Sequence, residues 1–432
     1  MNFYNLKHKE EQLNFKEATI KGQGKDKGLF FPEDISKFSP EFLKNLPNLS
    51  DEEIAYQVMK DFAGDEIPEA ELRKIVAETI AFEIPLKKVT ENISVLELFH
   101  GPTLAFKDVG ARFMSRCLGY FLKNETRKVT VLVATSGDTG GAVANGFYDV
   151  EGIEVVILYP KNRVSPVQEK QLTALGKNIH ALEVNGSFDD CQALVKQAFS
   201  DESLNEKLLL TSANSINVAR WLPQQIYYVL ALKQWLKNNS ENPVICVPSG
   251  NFGNICAGIL AHHRGLPVEH FIAACNVNDV VPEYLRTEIL KPKETVATIS
   301  NAMDVGDPSN FVRILELFEK EFNQVKSKLS GYTIDDEETL KTIERVEKDY
   351  GYVLDPHGAV AFVALEKYLA ENGGKGFFLE TAHPVKFPDS VEKATGKSVE
   401  IPKSLEELMR QEKFTTEINP QYEELKEFLL KK

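Results

Sequence analysis

From about residue 90 onward, short runs of β-branched and apolar residues alternate with longer stretches in which apolar side chains recur every three to four positions. The spacing predicts strands over 129–134, 154–159, 179–184, 208–211, 244–247, 271–275 and 377–380. Between them it predicts a helix through Phe147, one over 167–175 closed by Gly176, one over 189–199, a long helix over 217–236 apolar on one face, and one through His262. Strands alternating with helices build a parallel sheet covered on both faces, with ligands collecting at the carboxyl ends of the strands. The predicted fold class is therefore α/β and doubly wound. Residues 1 to about 90 differ: helical patterns over 51–62 and 69–77 are punctuated by Pro and Gly, as in Gly28-Leu29-Phe30-Phe31-Pro32, and predict a mostly helical N-terminal unit. The stretch 300–350 is charged and helical in pattern, and Asp335-Asp336-Glu337-Glu338 reads as a solvated helix face.

Composition narrows the partners. The chain has 432 residues, 43% hydrophobic and 26% charged, enough to bury two or three packed units. Lys and Arg total 50 against 64 Asp and Glu, a net charge of −14, which argues against nucleic acid or an anionic membrane surface as partner. An anionic ligand must then be held locally, by a few polar side chains and by N–H groups at helix starts. Five Cys show no C-x-x-C pair and no spacing with His suited to zinc, so reduced core thiols and no metal are expected. His262-His263 are neighbours on a helix and point apart, a poor metal pair. The acidic N-terminal stretch resembles neither a signal nor a transit peptide, and no run approaches the roughly 20 apolar residues of a membrane span. A cytoplasmic protein, monomer or homodimer, is expected.

Two strand-to-helix turns combine small residues with a following helix: Ala134-Thr135-Ser136-Gly137-Asp138-Thr139-Gly140-Gly141 and Pro248-Ser249-Gly250-Asn251-Phe252-Gly253-Asn254. Glycine lets a ligand approach the backbone, and the free N–H groups of the next helix favour an anion. Such turns also serve packing alone, but two of them suit two anionic groups, such as a cofactor phosphate and a substrate carboxylate. Lys107 lies between Leu104-Ala105-Phe106 and Val109-Gly110-Ala111, apolar runs that draw it inward. Burial favours the neutral amine, the form that attacks an aldehyde. The plain alternative is a buried Lys107–Asp108 ion pair without chemistry.

At these residues the chain resembles the threonine synthases, a family within the tryptophan-synthase-β-like group of pyridoxal phosphate (PLP) enzymes. Phe99-His100-Gly101-Pro102-Thr103-Leu104-Ala105-Phe106-Lys107-Asp108 is similar to the segment around that family's Schiff-base lysine. Ser249-Gly250-Asn251-Phe252-Gly253-Asn254 resembles its cofactor-phosphate loop, and Glu380-Thr381-Ala382-His383-Pro384 its late pyridine-contacting strand. Gly28 to Pro32 also looks like the family's N-terminal unit. The resemblance implies two doubly wound parallel-sheet domains: residues 1–90 as the N-terminal unit and 91–432 as the catalytic region, with a smaller mobile subdomain over about 105–215.

It further implies PLP bound to Lys107, with Gly250, Asn251, Phe252, Gly253 and Asn254 around the phosphate and Thr381 facing the pyridine nitrogen. A hydroxyl can hydrogen-bond a neutral nitrogen but cannot hold a pyridinium by charge, which moderates the electron sink. The turn Ser136-Gly137-Asp138-Thr139 departs from the Ser-Gly-Asn-Thr form of related dehydratases and cysteine synthases. A carboxylate there repels a substrate carboxylate, so substrate recognition falls to Ser136, Thr139 and backbone N–H groups, and Asp138 reads as a helix cap. Ser212 to Arg220 resembles the family's element for the substrate phosphate, with Asn214 and Ser215 as donors and Arg220 as charge; the alternative is an ordinary N-cap with Arg220 in solvent. His357 falls in a predicted turn or lines the site, and His383 is a core histidine or reaches the cofactor.

The reaction implied is conversion of O-phospho-L-homoserine and water to L-threonine and phosphate, with Lys107 moving protons. A related PLP lyase, of the serine/threonine dehydratase or cysteine synthase type, and a non-catalytic PLP-binding or phosphometabolite-binding relative remain as alternatives.

Overall fold

The computed structural model describes residues 1–123 and 128–431. Fourteen strands form three sheets among the described residues. The N-terminal strands β1 (Asn2–Asn5), β2 (Gln12–Asn14) and β3 (Phe30–Pro32) make a small antiparallel sheet in the order β2-β1-β3. The helices Asp51–Ala63 and Glu69–Thr79 follow, so the N-terminal region is helical as predicted but carries a sheet that its short strands did not announce. Ser50 caps the first of these helices by accepting from Glu53 N–H, and Ile54, Val58, Met59 and Phe62 on one face are buried.

Strands β4 (Leu86–Lys88) and β5 (Ile93–Glu97) begin the larger sheet. Strands β6 (Val129–Ala134), β7 (Ile153–Pro160), β8 (Ile179–Val184) and β9 (Leu209–Thr211) belong to a second sheet. Strands β10 (Val244–Pro248), β11 (His270–Cys275), β12 (Leu329–Thr333) and β13 (Gly376–Glu380) return to the first, and β14 (Thr415–Ile418) adds an edge to the second. The larger sheet runs β12-β11-β10-β13-β5-β4, parallel except for β4, and the smaller runs β14-β8-β7-β6-β9, all parallel. Helices cover both sheets, the doubly wound α/β arrangement that the alternating pattern predicted. Strands such as β6 and β10 are buried along their whole length, which is why they read as continuous apolar runs.

Four elements differ from the sequence reading. The long helix predicted over 217–236 is broken into Val218–Trp221, a 3₁₀ turn Leu222–Gln224 and Gln225–Trp235. Pro223 lacks the N–H that a continuous helix needs. Its last segment is buried nearly all round rather than apolar on one face. The stretch 300–350 contains β12 among its helices, and the helix Lys107–Leu122 follows directly on the lysine segment. His357 lies in the first turn of the helix Pro356–Asn372, capped by Asp355, rather than in a loop. The acidic run 335–338 does open a helix, Asp336–Tyr350, whose inner face buries Thr339, Ile343 and Val346. All five cysteines are buried and free. Among the described residues, no helix is long and apolar enough to cross a membrane.

Candidate active site

The carboxyl end of β13 is where the lysine segment is fixed. Ala105 and Ala382 form an antiparallel bridge, Phe106 N–H donates to the Thr381 carbonyl (2.9 Å), and His383 N–H donates to the Leu104 carbonyl (3.0 Å). Leu104 turns the chain with a positive φ of 56°, and the Tyr227 hydroxyl holds the Phe106 carbonyl. Lys107 thus begins its helix next to Thr381. The alternative, a buried Lys107–Asp108 ion pair, does not form: Asp108 accepts from Thr103 N–H (2.9 Å) and the Thr103 hydroxyl (2.5 Å). Among the described residues the Lys107 amine has no hydrogen-bond or ion-pair partner, and it lies over the Phe106 ring, 5.7 Å from the centroid. The side chain keeps part of its surface open, yet protein surrounds the amine. Desolvation lowers it from 10.5 to about 8, with the charges of Lys386 and Arg220 adding to the drop and Asp138 opposing it.

The turn after β6 is held by the Thr135 hydroxyl, which accepts from Gly137 N–H (2.9 Å) and Gly140 N–H (2.8 Å). Gly137 takes φ +133°, and a Cβ there would lie 2.4 Å from Gln168 Cδ, so only glycine fits. Ser136 and Thr139 are half-buried, and their hydroxyls and the N–H groups of Asp138 and Thr139 have no partner among the described residues. Asp138 is not a cap. The N-cap of the helix Asp138–Phe147 is Gly137, while the Asp138 carboxylate pairs with Lys386 Nζ (2.7 Å) and accepts from Gln168 Nε2 (2.9 Å). Burial pushes that carboxyl up, but the Lys386 and Lys107 charges outweigh it and hold it well below the usual carboxylate range.

The turn after β10, a strand adjacent to β13, is an anion cradle. Among the described residues the N–H groups of Gly250, Asn251, Phe252, Gly253 and Asn254 have no acceptor, and they precede and open the helix Gly253–His263. Phe252 adopts a left-handed φ of 62° with its ring packed on Phe311. Asn251 braces the loop: its Oδ1 accepts from Ser309 N–H (2.8 Å) and hydroxyl (2.7 Å), and its Nδ2 donates to Ser215 Oγ (3.0 Å). Asn254 turns inward, donating to the Pro248 carbonyl (3.2 Å) and accepting from Ile255 N–H (2.7 Å). The loop therefore offers an anion its backbone, with the Asn side chains holding that backbone in place. A Cβ on Gly250 would meet Met303 Cα at 2.7 Å and the Ala302 carbonyl at 2.9 Å, both backbone atoms. Gly250→Ala is expected to weaken PLP binding about tenfold or more, read from visible absorbance during titration of the apoprotein.

Arg220 is buried rather than in solvent, and no carboxylate faces it within ion-pair distance among the described residues. One of its Nη atoms donates to the Ala213 carbonyl, its buried Nε has no partner, and burial lowers it to about 10. The N-cap of the helix Val218–Trp221 is Asn217, whose Oδ1 accepts from Ala219 N–H (3.0 Å). Ser215 Oγ accepts from Asn251 Nδ2 and from Asn310 Nδ2 (3.1 Å), which joins it to the cofactor-type loop, whereas the Asn214 side chain is half-buried with its amide unbonded among the described residues. His383 is a turn residue: Nδ1 accepts from Val385 N–H (3.1 Å), its ring lies edge-on to Phe99, and burial lowers it to about 4.

These groups fit pyridoxal phosphate. An unpartnered amine of lowered basicity, an N–H cradle for a dianion and the Thr381 hydroxyl, unbonded among the described residues, lie at the carboxyl ends of β10 and β13 and beside them. Site residues outside the sequence reading are Lys386, Gln168, Thr103, Ser309, Asn310 and Arg313. Only Thr103 sits in a local motif, that of Lys107, and the crossing of distant segments brings in the others.

The fold and site define a PLP-dependent enzyme: a family model described as pyridoxal-phosphate dependent enzyme matches residues 80–377. Models of the threonine synthase N terminus and C-terminal region match residues 2–80 and 358–429. Threonine synthase of Haemophilus influenzae is 45% identical over 431 residues, covering 100% of both chains. The crystal structure of Escherichia coli threonine synthase superimposes with a TM-score of 0.93 at 45% identity over 100% of both chains. A PLP-bound threonine synthase structure from Brucella melitensis gives 0.92 at 36% identity, covering 99% of this chain and 98% of that one. The chain belongs to the threonine synthases, and its cofactor is pyridoxal phosphate.

The amine of Lys107 sets how the cofactor loads. Only its neutral form attacks the aldehyde, so the loading rate of the apoprotein should climb about tenfold per pH unit below about 8 and level off above it. Stopped-flow absorbance across pH 6 to 10 checks this, and a profile still rising at about pH 10 contradicts it.

Proposed function

We propose that the substrate is O-phospho-L-homoserine, converted with water to L-threonine and phosphate beside Lys107, at the carboxyl ends of β10 and β13. The observation that carries this reading is the free Lys107 amine, lowered to about 8, beside two turns whose N–H groups await anions. Gly250 to Asn254 hold the cofactor phosphate through backbone N–H groups, and Thr381 faces the ring nitrogen. When bound, PLP supplies an electron sink for the charge that develops at the substrate's Cα.

Ser136, Thr139 and the N–H groups of the 136–139 turn hold the substrate carboxylate. Asn214 and Arg220 hold its phosphate, and Ser215, pinned between Asn251 and Asn310, couples that element to the cofactor loop. Arg220 suits a dianion because its charge is buried without a carboxylate to neutralise it. Lys107 takes the proton from Cα and then one from Cβ, and phosphate leaves Cγ with the bonding electrons. A proton returns to Cγ, the hydroxyl of water adds at Cβ, and Lys107 returns a proton to Cα. Residues about 105–215 form the smaller unit that closes on the substrate, with β14 at its sheet's edge. Purified, PLP-loaded protein is expected to release phosphate and L-threonine in equal amounts from O-phospho-L-homoserine. No phosphate release sinks the reading, and deamination of L-serine in its place assigns a dehydratase.

A further inference from the structure

Lys386 is fully buried and Asp138 is 6% exposed, yet both carry charge within reach of the Lys107 amine. Lys386 Nζ donates to Asp138 Oδ1 (2.7 Å) and to the Thr103 carbonyl (2.9 Å). The Thr103 carbonyl also accepts from Gln171 Nε2 (3.0 Å), and the neighbouring Gln168 donates to the same Asp138 oxygen (2.9 Å). Four segments of the chain, 103–108, 136–139, 168–171 and 384–386, are thereby tied at one point. Burying two charges is costly, and a neutral Asn at 138 with an apolar residue at 386 would fill the same space at less cost. The Asp138 carboxylate also stands where, uncompensated, it repels a second anion. Asp138 is the first residue of a helix whose free N–H groups and flanking Ser136 and Thr139 hydroxyls are arranged for an anion.

We propose that Lys386 is a specificity-determining residue: by pairing with Asp138 it cancels the charge of the 136–139 turn and lets that turn accept the carboxylate of an amino acid. The inference rests on the reading of this turn as the carboxylate site. It predicts opposite signs for the two partners. Lys386→Met leaves an uncompensated anion beside the bound carboxylate, Asp138→Asn leaves an uncompensated cation, and the double variant restores neutrality.

The test is equilibrium binding of L-threonine, and of the corresponding amino alcohol that lacks the carboxylate, to PLP-loaded wild type, K386M, D138N and D138N/K386M, read from the visible absorbance change. L-threonine binding is expected to weaken roughly tenfold or more in K386M, to tighten about threefold in D138N relative to the double variant, and to return to within about threefold of wild type in the double variant. The amino alcohol should show no such loss in K386M. Equal weakening of both ligands, or weakening by D138N as well as by K386M, overturns the proposal, because a merely structural pair loses function whichever partner is removed. Should K386M fail to fold, D138N against the double variant still decides the sign. A wild type that releases phosphate from O-phospho-L-homoserine while all four forms bind L-threonine alike overturns the role of the pair alone. A wild type that releases none overturns the reaction assigned above, whatever the pair does.

Discussion

Lys107→Ala is expected to abolish the visible absorbance of the PLP-loaded protein and to reduce phosphate release from O-phospho-L-homoserine by about four orders of magnitude or more, since one side chain both anchors the cofactor and moves the protons. The fold should survive. Lys107 makes no hydrogen bond or ion pair among the described residues, and the helix it begins is held by Thr103–Asp108 and by the bridge to Ala382. Removing a desolvated amine relieves a cost, so the apoprotein should unfold at the same denaturant concentration or slightly higher. Residual PLP can still occupy the N–H cradle without a covalent bond, which borohydride treatment and dialysis distinguish. Phosphate release above about a hundredth of the wild-type rate shows that another base serves.

The second large effect is expected at Arg313, a residue with no part in the chemistry. Its guanidinium is fully buried, stacks over Trp221 (4.3 Å) and has no carboxylate partner among the described residues. Every hydrogen bond it makes goes to a neutral oxygen: Phe30 carbonyl (3.2 and 3.0 Å), Ser215 carbonyl (3.2 Å), Ile216 carbonyl (2.7 Å) and Asn310 Oδ1 (2.7 Å). Burial lowers it to about 9. The side chain joins β3 of the N-terminal sheet to the 215–216 backbone and to Asn310, which together brace the cofactor loop. Arg313→Met leaves several buried carbonyls unsatisfied and should cost about 3–5 kcal/mol of stability, together with a PLP affinity reduced about tenfold or more. Denaturant unfolding of the apoprotein and PLP titration measure the two separately. Unchanged PLP affinity in a destabilised variant would show that Arg313 supports the N-terminal sheet only.

The local chemistry was legible wherever neighbouring residues carry it. Lys107 between apolar runs, the glycine turns at 137 and 250–253 and the strand just before Thr381 are short-range patterns, and in the structure both turns join a strand to a helix while Thr381 follows β13. The pattern failed where tertiary contacts outweigh it. Arg220 carries a charge usually left to solvent, so a solvated reading was open, yet the chain packs it against Gly110 and the Ala213 carbonyl. Asp138 read as a cap because capping is what an acidic residue at a helix start commonly does, and it is instead bound to a lysine 248 positions later. Pro223 did announce the break in the helix 217–236, and the continuous apolar pattern around it hid that signal.

The sequence alone determined the alternation of strands and helices, the two turns with free N–H groups and the lysine that suits an aldehyde, because hydrophobic period and glycine conformation act within a few residues. Only the tertiary structure decided the charges around that lysine. Lys386, Asp138, Gln168 and Thr103 meet because the segments after β6 and β13 converge, and burial turns each of their contacts into a strong constraint. An ion pair between distant positions leaves no period in the sequence, and the electrostatics of the site could be read only once the chain had closed on itself.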